Sequence, residues 1–216
     1  NNAAVILPDA DLKQAVIECV RSAFVTTGQR CTCTRRVLVH RDVAAPVIKA
    51  ICQAASQLII GHPAAEHPVF MGPMISAAAR DGVLMAQQNF IRAGAQALVE
   101  SSAIAEVAGH KGHYITPAVL TVDRFVADDG WGHAGCDQEV FGPLLRLATI
   151  DSLDDAIAQT NATRYGLAAS LFTKDDAAIQ RFLFEARAGC ININTGTAGA
   201  SSKLPFGGLG LPGNHR

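Results

Sequence analysis

The chain has 216 residues with 18 basic and 19 acidic side chains, a net charge near −1, and 49% hydrophobic, 17% charged and 6% aromatic residues. The length suits one domain with a substantial core, and the composition excludes a disordered or fibrous chain. The charge balance gives no footprint for nucleic acid or an anionic membrane, so neither is expected as a partner.

In chain order, residues 4–7 read as a short strand. Asp9 is placed to cap a helix over 11–25, where Leu12, Ala15, Val16, Cys19, Val20 and Ala23 recur at helical spacing. A strand at 36–40 follows, then helices over 44–60 and 76–93 and strands at 97–100, 115–122 and 144–150. Helix 153–160, strand 168–173, helix 175–188 and strand 190–194 come next, and the Gly- and Pro-rich tail reads as loop. This alternation predicts an α/β domain over 1–216, a doubly wound, mostly parallel sheet with flanking helices and a site at the carboxyl ends of its strands.

No apolar run reaches the roughly 20 residues a membrane span needs, and the first residues lack a secretion-signal layout; a cytoplasmic location is expected. Six cysteines in a chain of this length read as reduced thiols rather than a disulfide framework. Cys31 and Cys33 form a lone C-x-C with no second pair to close a tetrahedral site, so no metal is expected. There is no G-x-G-x-x-G after a strand and no G-x-x-x-x-G-K-[ST], so any dinucleotide must be held mostly elsewhere.

The stretch Gly28-Gln29-Arg30-Cys31-Thr32-Cys33-Thr34-Arg35-Arg36 places a cysteine in a polar loop between a helix and a strand. A thiolate is a good nucleophile, and Arg30 stands directly beside this cysteine in the sequence. A lone cysteine is most often a small core residue, but four further segments change the balance. Gly72-Pro73-Met74-Ile75, His113-Tyr114-Ile115-Thr116-Pro117, Glu139-Val140-Phe141-Gly142-Pro143 and Tyr165-Gly166-Leu167-Ala168-Ala169 with Phe172-Thr173 follow in order. Asn192-Ile193-Asn194 and Pro205-Phe206-Gly207-Gly208 close the chain. Together they resemble the motifs of the aldehyde dehydrogenase superfamily over essentially the whole length.

That resemblance implies that Cys31 attacks an aldehyde carbon, forms a thiohemiacetal, and after hydride transfer to NAD leaves a thioester that water cleaves. It implies that Glu139 binds the ribose hydroxyls on the nicotinamide side of the cofactor and that Phe141 packs beside the same portion. It places Asn194 near the substrate and Phe206 in a turn against the site. The Cys31 N–H would supply one donor to the developing alkoxide. The second donor and the general base, a Glu in a Glu-Leu-Gly-Gly motif just before the Asn1-Asn2 position, are expected outside these 216 residues. The chain is therefore expected to be the nucleophile-bearing domain of a longer, homo-oligomeric enzyme, inactive by itself.

The GQRCTC doublet with Arg35-Arg36, and the ending Gly213-Asn214-His215-Arg216, are most similar to the branch that oxidises N-succinylglutamate 5-semialdehyde in arginine breakdown. A substrate bearing two carboxylates wants basic side chains or N–H groups away from the reacting carbon. Arg30, Ser201, Ser202 and Lys203 are the candidate anchors. Other semialdehydes, an acylating reaction that releases the thioester to coenzyme A, a Cys-His hydrolase and a non-catalytic scaffold remain alternatives. The seven histidines sit in no recognisable dyad motif.

Overall fold

A computed structural model describes residues 1–127, 135–199 and 203–211. The chain opens on strand β1 (Asn2–Ile6), helix α1 (Leu12–Phe24), β2 (Thr34–His40), α2 (Arg41–Ser56) and α3 (Ala77–Arg92). After β3 (Gln96–Val99) come β4 (Ala103–Val107), β5 (His110–Ile115), β6 (Ala118–Thr121) and β7 (Leu144–Ile150). The remainder is α4 (Leu153–Thr160), β8 (Tyr165–Gly166), β9 (Ala168–Phe172), α5 (Asp176–Glu185), β10 (Cys190–Ile193) and β11 (Leu209–Gly210). Among the described residues no helix is long and apolar enough to cross a membrane.

Seven strands form one sheet in the order β10-β9-β1-β2-β7-β6-β3, parallel throughout except for the antiparallel β3–β6 pair. Both faces are covered, which is why the central strands read as continuous apolar runs. Ala4, Ile6, Val37, Val39, Leu145 and Leu147 pack with Ala15, Cys19 and Phe24 of α1 and Val47 and Ile51 of α2. The alternate residues Ala3, Val5, Leu38, Leu144 and Ala148 pack on the other side with Val83 and Phe90 of α3, Ala156 and Ile157 of α4 and Phe182 of α5. This is the doubly wound α/β arrangement expected from the alternation of elements.

Several details depart from the sequence reading. Asp11, not Asp9, caps α1, accepting the Gln14 N–H at 3.0 Å. Asp9 lies two residues too early and instead accepts the Thr173 hydroxyl at 2.8 Å and the Lys174 N–H at 2.7 Å. The single strand expected over 115–122 is divided at Thr116-Pro117: β5 pairs with β4 in a hairpin outside the main sheet, and only β6 joins the sheet. Its two-residue turn uses Ala108 and Gly109, both left-handed; alanine there carries none of the usual Asn-Gly or Asp-Gly signal. In the tail, β11 pairs antiparallel with β8 where only loop was expected.

Candidate active site

The candidate residues Cys31, Glu139 and Phe141 lie at the amino ends of the strands, whereas a site at the carboxyl ends is expected from the sequence. α1 returns antiparallel to the strands it crosses over, so the connection from α1 into β2 falls at the end where β2 begins. That connection holds Cys31, which is exposed. The segment leading into β7 carries Glu139 and Phe141 to the same end. Two surface clefts, of about 290 and 270 Å³, open at the other end around Gly94, Val122 and Asp123.

The approach to Cys31 is an unusual backbone path. Thr26, Thr27 and Gly28 are all left-handed, with φ of 52°, 56° and 67°. Such a conformation is costly for a β-branched residue, so partners must hold it. Thr27 donates its hydroxyl to the Gly72 carbonyl at 2.9 Å. The Gln29 side chain accepts the Ile75 N–H at 2.9 Å and donates to the Thr26 carbonyl at 3.2 Å. Gly28 lies against the Gly142 backbone so closely that a Cβ would overlap the Gly142 carbonyl. The segments Gly72–Ile75 and Glu139–Pro143, remote in sequence, thus buttress the cysteine loop.

Two side chains that sequence reasoning passed over fix this loop. Asn2, 3% exposed, donates to the carbonyls of Cys31 and Cys33, each at 2.8 Å, and accepts the Ala168 N–H at 3.0 Å. Replacing it by alanine strips a partner from three groups; at about 1 kcal/mol each, the lower end of the cost of an orphaned buried group because one of the three is only part-buried, we expect about 3 kcal/mol lost in urea unfolding. A loss below about 1 kcal/mol would mean that water takes over the bonds. Thr197 is the second: fully buried, it donates to the Thr32 carbonyl at 2.7 Å and meets the Thr34 hydroxyl at 2.8 Å. The chain reaches it along α1, where the Glu18 carboxylate accepts the Gly196 N–H at 2.9 Å.

The paired arginines after Cys31 point to opposite faces of the sheet. Arg35 donates to the carbonyls of Gly28, Arg30 and Gly142. Arg36 donates to those of Asn1, Gln159 and Thr160 and stacks over Phe125 at 5.3 Å. Burial lowers the pKa of both guanidiniums from the usual arginine value, yet an arginine stays charged at neutral pH.

Just before Glu139, Asp137 anchors the segment. Its carboxylate, with the side chain only 4% exposed, accepts the Thr163 hydroxyl and the Arg164 N–H at 2.7 Å and the Arg164 guanidinium at 2.9 Å. Burial raises its pKa, but these hydrogen bonds outweigh burial and hold it below the usual aspartate value. A depressed folded value means the stabilisation is complete above about pH 4 and is lost as pH falls further. The stability gap between wild type and Asp137→Asn should therefore narrow below about pH 4; a gap independent of pH would contradict this linkage.

Of the remaining candidates, Arg30 is exposed beside Cys31, and Lys203 is exposed on the tail. Phe206, 45% exposed, sits on that tail where Gly207 packs on Gly189 at the start of β10. Ser201 and Ser202 lie outside the described residues. Asn194 is not brought to Cys31: it follows β10 at the carboxyl end of the sheet, exchanging side-chain hydrogen bonds with the Thr173 backbone at 3.0 and 2.9 Å. Three of the histidines have other neighbours, His62 stacking on His110 at 4.2 Å and His40 meeting the Asp151 carbonyl.

The doubly wound domain presents one exposed thiol on a left-handed loop braced by a Glu-Val-Phe-Gly-Pro segment, and the chain belongs to the aldehyde dehydrogenase family, whose model matches residues 1–216. Among its relatives is an N-succinylglutamate 5-semialdehyde dehydrogenase of Acinetobacter baylyi, 40% identical over 217 residues that take in 100% of this chain and 42% of that protein. A relative of the same description from Novosphingobium aromaticivorans is 37% identical, with 100% and 44% covered. The chain thus spans less than half the length of these curated relatives. The solved structure of PnpE in complex with nicotinamide adenine dinucleotide superposes with a TM-score of 0.89 at 29% identity, over 98% of this chain and 42% of that one. Glyceraldehyde-3-phosphate dehydrogenase GapN of Methanocaldococcus jannaschii complexed with NADP gives 0.84 at 26% identity, over 98% and 43%.

Proposed function

We propose that these 216 residues form the nucleophile-bearing part of an aldehyde dehydrogenase that oxidises N-succinylglutamate 5-semialdehyde to N-succinylglutamate with NAD. The observation that carries this reading is the exposed Cys31 held at the same end of the sheet as Glu139 and Phe141. The relatives named for that substrate support its choice.

The donor set fits a nicotinamide nucleotide. Glu139 is exposed and ready to accept from ribose hydroxyls, and Phe141, 44% exposed, offers an aromatic face on the same loop. When bound, the nicotinamide supplies a hydride acceptor. The Cys31 sulfur forms a bond to the aldehyde carbon, and the Cys31 N–H stabilises the oxyanion that develops. Loss of hydride leaves an acyl thioester on Cys31, and water then breaks the C–S bond to release the carboxylate. The net change is aldehyde, NAD and water to carboxylate, NADH and protons. Arg30 and Lys203, with Ser201 and Ser202, are proposed to meet the distal carboxylates, and Phe206 to wall the aldehyde pocket. Asn194 is reassigned to holding the carboxyl ends of β9 and β10 together.

The test is NADH formation by the full-length enzyme with N-succinylglutamate 5-semialdehyde, compared with glutamate semialdehyde and with NADP as acceptor. Preference for the succinylated substrate with NAD is expected. A folded enzyme that turns over only other aldehydes would overturn the substrate assignment.

A further inference from the structure

We propose that Arg35 is a positioning residue that couples the Cys31 loop to the Glu139–Gly142 loop, so that the thiol and the cofactor side of the site move as one unit. Its catalytic consequence rests on the dehydrogenase reading above; the coupling itself does not. Arg35 is 2% exposed. It donates to the Gly142 carbonyl at 2.9 Å, and to the Gly28 and Arg30 carbonyls at 2.6 and 3.2 Å, while its guanidinium lies 5.5 Å from the centroid of the Phe141 ring. One side chain therefore grips the residue three before Cys31, the residue immediately before it, and the loop that presents Phe141.

Two independent features indicate that this grip is more than packing. Burying a charge is costly, and an apolar side chain of similar volume often stabilises a core as well or better. What an apolar side chain cannot do is bridge three carbonyls on two loops, a task suited to the planar fork of donors in a guanidinium. The second feature is the strain in the gripped segment. Thr26, Thr27 and Gly28 are consecutive left-handed residues, and Gly28 touches the Gly142 backbone without an intervening side chain. A strained segment persists only where its surroundings over-determine it, and Arg35 ties this one to the surface it touches. Arg36 supplies a natural contrast: equally buried, it grips Asn1, Gln159 and Thr160 and has no bond to either loop.

The experiment compares Arg35→Lys, Arg35→Met and, as control, Arg36→Lys in the full-length enzyme. It reads kcat, KM for NAD and amide hydrogen exchange, at a temperature where each variant is folded. A lysine keeps the charge but cannot span three carbonyls. A displacement of about 1 Å can cost about 10²-fold in rate, so Arg35→Lys is expected to lose about that much kcat and to raise KM for NAD. Exchange should quicken together in 28–33 and 139–142, with little change elsewhere. Arg36→Lys should quicken exchange around 159–160 and leave both loops as they were. If Arg35→Met does not fold, Arg35→Lys carries the comparison. Wild-type kcat, KM and exchange in folded Arg35→Lys would overturn the proposal, as would quickening confined to one loop. Should the wild-type enzyme oxidise no aldehyde, the functional reading fails, and paired quickening of the two loops still supports the coupling while its absence removes it.

Discussion

Replacing Cys31 by alanine or serine in the full-length enzyme is expected to lower NAD-dependent aldehyde oxidation by at least about 10⁴-fold, the scale seen when a covalent nucleophile is removed. The fold should hardly notice. Cys31 is exposed, and substitutions at such positions usually change stability by less than about 0.5 kcal/mol. Its neighbour Cys33 provides the opposite case. It is fully buried, and burial raises its thiol pKa from the ordinary cysteine value, so Cys33→Ala should lower thermal stability while leaving a dehydrogenase that still turns over. Measuring kcat and the unfolding midpoint for both variants separates the roles. Substantial turnover by Cys31→Ala would remove it as nucleophile and return the other cysteines to consideration.

The largest expected loss of stability comes from Gly28→Ala. Two costs combine there. A φ of 67° is disfavoured for any residue with a Cβ, by about 1–2 kcal/mol. In addition, the new methyl would overlap the Gly142 carbonyl and approach the Pro143 nitrogen at 2.9 Å, all of it backbone that cannot rotate aside. Together they should exceed about 3 kcal/mol, a large share of the roughly 5–15 kcal/mol that holds a domain folded. Gly94→Ala isolates the first cost, because Gly94 has φ 105° with nothing within 4 Å of the added carbon. Chemical denaturation should show Gly94→Ala losing about 1–2 kcal/mol and Gly28→Ala clearly more. Equal losses would show that the two loops can separate without penalty, and would also weaken the role proposed for Arg35.

Elements with local signals at both ends were legible in the sequence. The strand Leu144–Ile150 and the helix Leu153–Thr160 fall where expected. The strand is an apolar run between Gly142-Pro143 and Asp151-Ser152, and Ser152 caps the helix by accepting the Asp155 N–H at 3.1 Å. The β4–β5 hairpin was not legible, because its turn forces Ala108 into a conformation that alanine seldom marks. Asn2 and Arg35 were equally hidden as positioning residues. The partners of Asn2 lie on β2's approach and on β9, and those of Arg35 include Gly142, so no local pattern distinguishes them from any polar pair at a strand start.

By itself the sequence determined the doubly wound class, the family, and the loop that bears Cys31, since these rest on hydrophobic period and on motifs whose residues are neighbours in the chain. Only the tertiary structure decided that Cys31, Glu139 and Phe141 share the amino ends of the strands, that Asn194 stands at the opposite end, and that the Gly72, Gly142 and Asn2 segments converge on one strained turn. The physical reason is range. Helix and strand periods are set by backbone geometry over a few residues, whereas the hydrogen bonds that hold the left-handed turn before Cys31 join groups that meet only once the sheet has formed and both its faces are covered.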